Sequence, residues 1–289
     1  MSYDLHFRAD FGVEADADAI GAALRATKYV GESGSAQFIY RHPNTGVTCT
    51  FDLEDEIPLS APVNFLRPRF YGREIMPVIA RLAASANLRI FDPQEDKLYS
   101  PGVKPDELER NWVSQNERIT RAVLRDEAEG LPYLREERSW YWWQYSYARE
   151  DFQRSLRDDI FVPSIFLFAC EDGLVRTAAV WSAEIRPPFP LTKRFVPLAQ
   201  IFPECDYVIL ASGKKGASKM DKRYVSYTAA MEQLRGIVED FPETAPVSGL
   251  KILRAANQAR AGSVFASLPA LDTGKVERIA SDSFVDVTA

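Results

Sequence analysis

The chain has 289 residues, 46 % of them hydrophobic and 26 % charged, so it can bury a sizeable core, and disorder over most of its length is excluded. Its formal net charge of −6 is uneven: residues 1–100 hold 10 basic and 14 acidic side chains, 101–160 hold 10 and 13, and 161–289 hold 15 and 14. That balance argues against general nucleic-acid binding, which needs a basic footprint, and favours a basic partner for the acidic half.

The opening ten residues carry early charge and no apolar leader core, and the longest apolar runs fall far short of the roughly 20 residues of a membrane helix. No membrane partner is expected, and the chain reads as cytoplasmic. Tyr3, Leu5 and Phe7 alternate with polar residues, which predicts a half-buried first strand. Asp16 or Asp18 can cap a helix carrying Ile20 and Leu24. Residues 36–40 and 47–53 read as the two strands of a hairpin around the turn formers Pro43, Asn44 and Gly46. Val63 and Phe65 mark another strand, and Gly72 precedes a helix with Ile75, Ile79 and Leu82 inward. Residues 88–91 read as a further strand.

Residues 93–105, with Pro93, Pro101, Gly102 and Pro105, read as a linker. Residues 106–129 are predicted helical from the pattern Leu108, Trp112, Gln115, Ile119 and Val123, with Pro132 beyond the end. A dense aromatic block follows: Trp140, Tyr141, Trp142, Trp143, Tyr145 and Tyr147. It leads into a helix whose stripe is Tyr141, Tyr145, Ala148, Phe152 and Leu156. Residues 161–169 and 174–181 form a predicted hairpin around Asp172-Gly173. The prolines at 187, 188 and 190 break the chain. Residues 206–210 are a predicted buried strand, 224–241 a helix, and 250–253, 264–268 and 284–287 short strands. The fold class read from this pattern is α+β. It comprises a mainly antiparallel sheet with two helices over 1–100, a helical connecting segment with the aromatic block over 101–160, and an α+β unit over 161–289.

Chemistry-bearing motifs are scarce. His6 and His42 are the whole histidine supply, and no G-x-S-x-G surrounds a serine, so a Ser-His or Cys-His device has little to draw on. Cys49, Cys170 and Cys205 are far apart and odd in number, and no C-x-x-C occurs. They read as buried small hydrophobes, with no disulfide framework or zinc site. The loop 212–219 is rich in Gly, Lys and Ser but departs from the Walker A pattern, and no G-x-G-x-x-G is present. No cofactor, metal or catalytic residue is assigned.

Two features remain as binding candidates. Asp52, Glu54, Asp55 and Glu56 follow a hairpin strand and read as carboxylates for acid–base or metal work, as a solvated loop, or as an anionic edge facing a basic partner. The aromatic block is either core, partner surface or stacking platform. Helical geometry groups Trp140, Trp143 and Tyr147, and separately Tyr141 and Tyr145. Trp142 is left apart as the sharpest interface candidate.

The stretches Met1-Ser2-Tyr3-Asp4-Leu5, Asn44-Thr45-Gly46-Val47 through Phe51, Asn64-Phe65-Leu66-Arg67-Pro68 and Asp92-Pro93-Gln94 resemble an uncharacterised bacterial family. Asp159-Ile160-Phe161-Val162-Pro163, Val180-Trp181 and Pro203-Glu204-Cys205-Asp206-Tyr207 fit the same pattern. Proteins of this type resemble the immunity members of bacterial toxin–immunity pairs. The resemblance implies a non-enzymatic protein that binds and occludes a basic toxin; it supplies no catalytic residues to carry over. An enzyme whose carboxylates converge from separate segments, such as a hydrolase, and a structural or adaptor protein are the alternatives.

Overall fold

The opening alternation becomes strand β1 (Ser2–Arg8), with Tyr3, Leu5 and Phe7 fully buried on one face. The computed structural model describes residues 1–53, 58–126, 130–157, 159–181, 199–212, 221–242 and 244–287, which form six α-helices and 18 strands in an α+β arrangement. Contacts divide the chain into two compact units: residues 1–139 with 280–289, and residues 140–279. The three-part division expected from the sequence differs, because the middle helices are shared out between these units and the C-terminal segment returns to the first.

In the first unit, helix α1 (Ala17–Ala26) starts where Asp16 accepts a hydrogen bond from the Ala19 N–H at 3.0 Å, and it buries Ile20 and Leu24. Strands β2 (Val30–Glu32), β3 (Gln37–Arg41), β4 (Thr48–Asp52) and β5 (Leu59–Asn64) follow. Helix α2 (Phe70–Ser85), strands β6 (Arg89–Asp92) and β7 (Lys97–Tyr99), and helix α3 (Pro105–Asp126) come next. The seven strands make one antiparallel sheet in the order β2-β3-β4-β5-β1-β6-β7. The proline-bearing stretch expected as a linker therefore contributes β7, an edge strand paired with β6. Gly72 does not precede α2 but lies inside it. A Cβ there would fall 2.6 Å from the indole of Trp112, so glycine is what lets α2 and α3 close on each other.

The buried stripe of α3 also differs from the expected one. Leu108, Trp112, Asn116 and Thr120 are buried, at steps of four, whereas Gln115, Ile119 and Val123 are only half-buried. Asn116 faces inward because it serves the backbone: its Oδ1 accepts from the Leu66 N–H at 2.8 Å and its Nδ2 donates to the Arg67 carbonyl at 2.8 Å. It thereby clamps a turn in which Leu66 adopts φ 58°. Strand β8 (Tyr133–Arg135) precedes helix α4 (Glu136–Ser155), within which the division between units falls.

In the second unit the apolar run expected as one strand is broken at Pro163 into β9 (Ile160–Phe161) and β10 (Ile165–Cys170). Strand β11 (Val175–Trp181) returns through the Asp172-Gly173 turn, where Gly173 takes φ 76°. Strands β12 (Ala199–Phe202), β13 (Tyr207–Ser212) and β14 (Asp221–Ser226) follow. The helix expected over 224–241 is only α5 (Tyr227–Gln233), since Ser226 caps it by accepting from the Ala229 N–H and Gly236 at φ 80° turns the chain into β15 (Val238–Asp240). Beyond β16 (Lys251–Leu253), residues 258–267 form helix α6 (Gln258–Ser267) in place of the strand expected at 264–268. The reason is a four-residue step: Ala261 and Phe265 are both buried, and Phe265 packs on Trp181 with ring centroids 4.4 Å apart. Strand β17 (Val276–Ile279) completes a five-stranded sheet, β14-β13-β11-β10-β17, beside a four-stranded one, β15-β16-β12-β9. Strand β18 (Val285–Val287) belongs to the first unit, where it pairs in parallel with β8.

Substituting Gly72→Ala drives a methyl group into the buried Trp112 ring and is expected to cost about 1–3 kcal/mol of stability. Denaturant unfolding measures it; an unchanged midpoint contradicts the close packing of α2 on α3.

Candidate functional site

Of the four acidic residues singled out in the sequence, Asp52 ends β4, is half-buried, and accepts a hydrogen bond from Gln37 Nε2 across the β3–β4 pair at 2.8 Å. Glu54, Asp55 and Glu56 lie outside the described residues, as do the three prolines of 187–190 and most of the 212–219 loop. The expectation for Trp142 is corrected. It is 4 % exposed, and its indole N–H donates to the Ile165 carbonyl at 3.0 Å. Tyr145, one turn on, donates its hydroxyl to the Pro163 carbonyl at 2.7 Å. The chain at 163–165 covers this side of α4, so the residue that stood apart by helical arithmetic is buried and tied down. The Trp140, Trp143 and Tyr147 group does share a face, with centroids 5.3 and 5.5 Å apart along it, and Tyr147 is exposed.

His42 and a nearby carboxylate form a structural cluster, while His6 lies apart on β1, half-buried. His42 and Thr45 are each 1 % exposed in the β3–β4 turn. The His42 Nδ1 accepts from the backbone N–H groups of Asn44 and Thr45 at 3.3 and 3.2 Å. Glu74, buried on α2, accepts from the Tyr40 and Thr45 hydroxyls, both at 3.0 Å. His, Glu and Thr side chains are thus adjacent, but enclosed, and they spend the hydrogen bonds described on the turn itself. A general base must reach a substrate proton, and this burial withholds His42 from one. Glu74 went unnoticed in the sequence. Its four-residue step between Phe70 and Val78, both buried, is the signal that places it inward.

A second cluster surrounds Arg69, at the start of α2. Its guanidinium pairs with Glu117 of α3 at 2.5 Å and Glu136 of α4 at 2.6 Å, and its backbone N–H donates to Asp286 of β18 at 3.0 Å. Burial pushes the Asp286 carboxyl up to about 6; the Arg69 N–H and guanidinium oppose the rise, and Glu136 adds to it. Three carboxylates from separate segments therefore converge on Arg69, two of them on its guanidinium and the third on its backbone N–H. Another buried carboxylate, Asp92, accepts from the Tyr3 hydroxyl and from the N–H groups of Gln94 and Glu95, closing the β6–β7 turn. No group of three or more His, Cys, Asp or Glu among the described residues is placed to hold a metal ion. Cys49 and Cys205 are buried and Cys170 is half-buried, all as free thiols, and burial raises the Cys49 thiol well above its ordinary value.

The sheet register gathers acidic residues at one end of the first unit. Phe7 pairs with Leu59, Arg8 with Arg89, Gln37 with Asp52, and Asp52 with Ser60. The β1–α1 loop, the β2–β3 turn and both described ends of the 53–58 connection consequently leave the sheet at the same end. That end carries Asp10, Glu14, Asp16, Glu32 and Asp52, against Arg8, Arg89 and the Arg25 that reaches Glu32. Arg89 is already paired with Asp10, and Glu32 with Arg25 of α1. Counted over the sequence, the first unit holds 25 acidic and 17 basic residues, net −8, whereas the second holds 16 and 18, net +2. No helix among the described residues is long and apolar enough to cross a membrane. No family model, curated protein or solved structure matches the chain.

Asp286 supplies a pH test. In the unfolded chain an aspartate titrates near ~4, so between about pH 4 and 6 the unfolded state gives up this proton first. Stability falls as pH rises through that window, and the full cost is present above it. Asp286→Asn keeps an oxygen for the Arg69 N–H. It is expected to add about 1–2 kcal/mol at about pH 7.5 and close to nothing at pH 4, in denaturant unfolding at the two pH values. Equal destabilisation at both contradicts the assignment.

Proposed function

We propose that the protein is a non-enzymatic, cytoplasmic binding protein of the immunity type, which covers a basic bacterial toxin and so blocks it. The observation that carries this reading is the charge partition: the first unit holds a net −8 and the second +2. An acidic end of sheet draws in a basic partner by long-range attraction, and the contact surface then excludes that partner's substrate. The enclosure of His42 and Glu74 also favours binding over nucleophilic chemistry.

The convergence of Glu117, Glu136 and Asp286 on Arg69 favours a second reading, a carboxylate-based enzyme such as a hydrolase. The two readings separate in one experiment. Purified protein is mixed with the products of the flanking genes and, in parallel, assayed for turnover of small ester, phosphate and glycoside substrates. Stoichiometric capture of a basic flanking-gene product without turnover supports the binding reading. Turnover that is lost in Asp286→Asn, with nothing captured, supports the enzyme.

For a captured partner, neutralising the acidic stretch as Asp52→Asn, Glu54→Gln, Asp55→Asn and Glu56→Gln together is expected to slow association about 3–10-fold at low salt. Dissociation should change by less than about twofold. Stopped-flow kinetics across a salt series measures both; an association rate indifferent to salt and to these substitutions contradicts electrostatic steering.

A further inference from the structure

The most exposed aromatic residue in the described chain lies at the acidic end of the first unit. Phe11 is 106 % exposed, and Val13, two residues on, is 61 % exposed. Together they place an apolar point, offered entirely to solvent, in an otherwise charged surround. The loop that carries them is ordered by its own chemistry. The Val13 N–H donates to the Asp10 carbonyl at 3.0 Å, closing a turn in which Gly12 takes φ 76°, a conformation a side chain would resist. The Asp10 carboxylate is held by Arg89 Nε at 2.5 Å, at the first residue of β6, which fixes the foot of the turn to the sheet. On its far side, Asp16 caps α1. The turn thus displays Phe11 at its tip between two fastened ends, so its backbone loses little further freedom when the ring docks.

The surround is acidic. Glu14, Asp16 and Asp18 flank the turn in sequence, and the sheet register brings Glu32 and Asp52 off the same end. These carboxylates define the partner but do not make the site; the apolar anchor does. We propose that the β1–α1 loop is the anchor of the binding surface: the Phe11 ring, with Val13 beside it, enters an apolar pocket on a protein whose surface around that pocket is rich in Lys and Arg. The combination is that of an interface core, with an aromatic residue at the centre and charge complementarity at the rim. The proposal rests on the protein-binding reading above and adds its point of attachment.

A display library of random 15-residue peptides, selected against the wild-type protein at low salt, tests both together. The selected peptides are then measured by titration against wild type, Phe11→Ser and Val13→Ser. The expected result is enrichment of sequences combining Lys or Arg with aromatic or large aliphatic residues. Their affinity should fall about 30-fold on Phe11→Ser, less on Val13→Ser, and further as salt is raised. Because Phe11 is solvent-exposed, its substitution should leave the melting temperature within about 2 °C of wild type. A large drop in melting temperature shows the ring to be packed and overturns the proposal. Basic peptides that bind in a salt-dependent way but are indifferent to Phe11→Ser overturn the anchor and leave the binding reading standing. Failure to enrich basic peptides at all counts against both.

Discussion

The position of β1 in the middle of the seven-stranded sheet is the constraint on which the rest of the first unit depends. The first strand of the chain is inserted between β5 and β6, and its register with both neighbours is fixed by the burial of Tyr3, Leu5 and Phe7 on one face. A slip of one residue would turn all three outward and is opposed by the loss of their burial, about 1.5–3 kcal/mol for each large apolar side chain. With β1 locked, its C-terminal end, the start of β5 and the start of β6 coincide. The loop carrying Phe11 and the segment around Asp52 are thereby delivered to one end of the sheet from positions some forty residues apart in sequence.

The polar groups buried in this unit serve the same end. Glu74 holds the β3–β4 turn through Tyr40 and Thr45, Asn116 holds the turn at Leu66 and Arg67, and Asp92 holds the β6–β7 turn. In each case a side chain from one segment supplies the hydrogen bonds that a tight stretch of backbone cannot make for itself. The Arg69 cluster ties the starts of α2 and α4, the side of α3 and the last strand in a similar way, and burial raises the Asp286 carboxyl within it. These carboxylates are committed inside the unit. At the end of the sheet Asp10, Asp16 and Glu32 are exposed although each also makes a bond within the unit, and Glu14 is exposed beside them, so these carboxylates can meet a partner where the buried ones cannot.

Much of the fold was legible wherever a short-range signal carried it. The alternation at residues 3–7, the Asp16 cap, the turn at 42–46 and the Asp172-Gly173 hairpin each depend on neighbours a few residues away, and each was read from the sequence. The misreadings share a cause in tertiary contact. Gly72 looked like the residue before a helix because nothing local announces that Trp112 will lie against it. The helical pattern of α3 runs through Gln115, Ile119 and Val123, whereas Asn116 turns inward because a distant turn needs it. Trp142 looked like the exposed member of the aromatic block because helical arithmetic orders side chains around an axis without saying which side the next strand will cover. The acidic stretch Asp52–Glu56 was picked out from composition, whereas Phe11 was not, since a single aromatic residue in a loop carries no pattern. Its meaning depends on its exposure and on the strands that end beside it.

The central claim is that the acidic end of the first unit is where a basic partner binds. Hydrogen–deuterium exchange on the protein, alone and saturated with a selected basic peptide, tests it most directly. The account predicts slowed exchange concentrated in residues 9–19, 33–36 and 52–58. Protection confined to residues 140–279, or spread without preference for that end of the sheet, would contradict it.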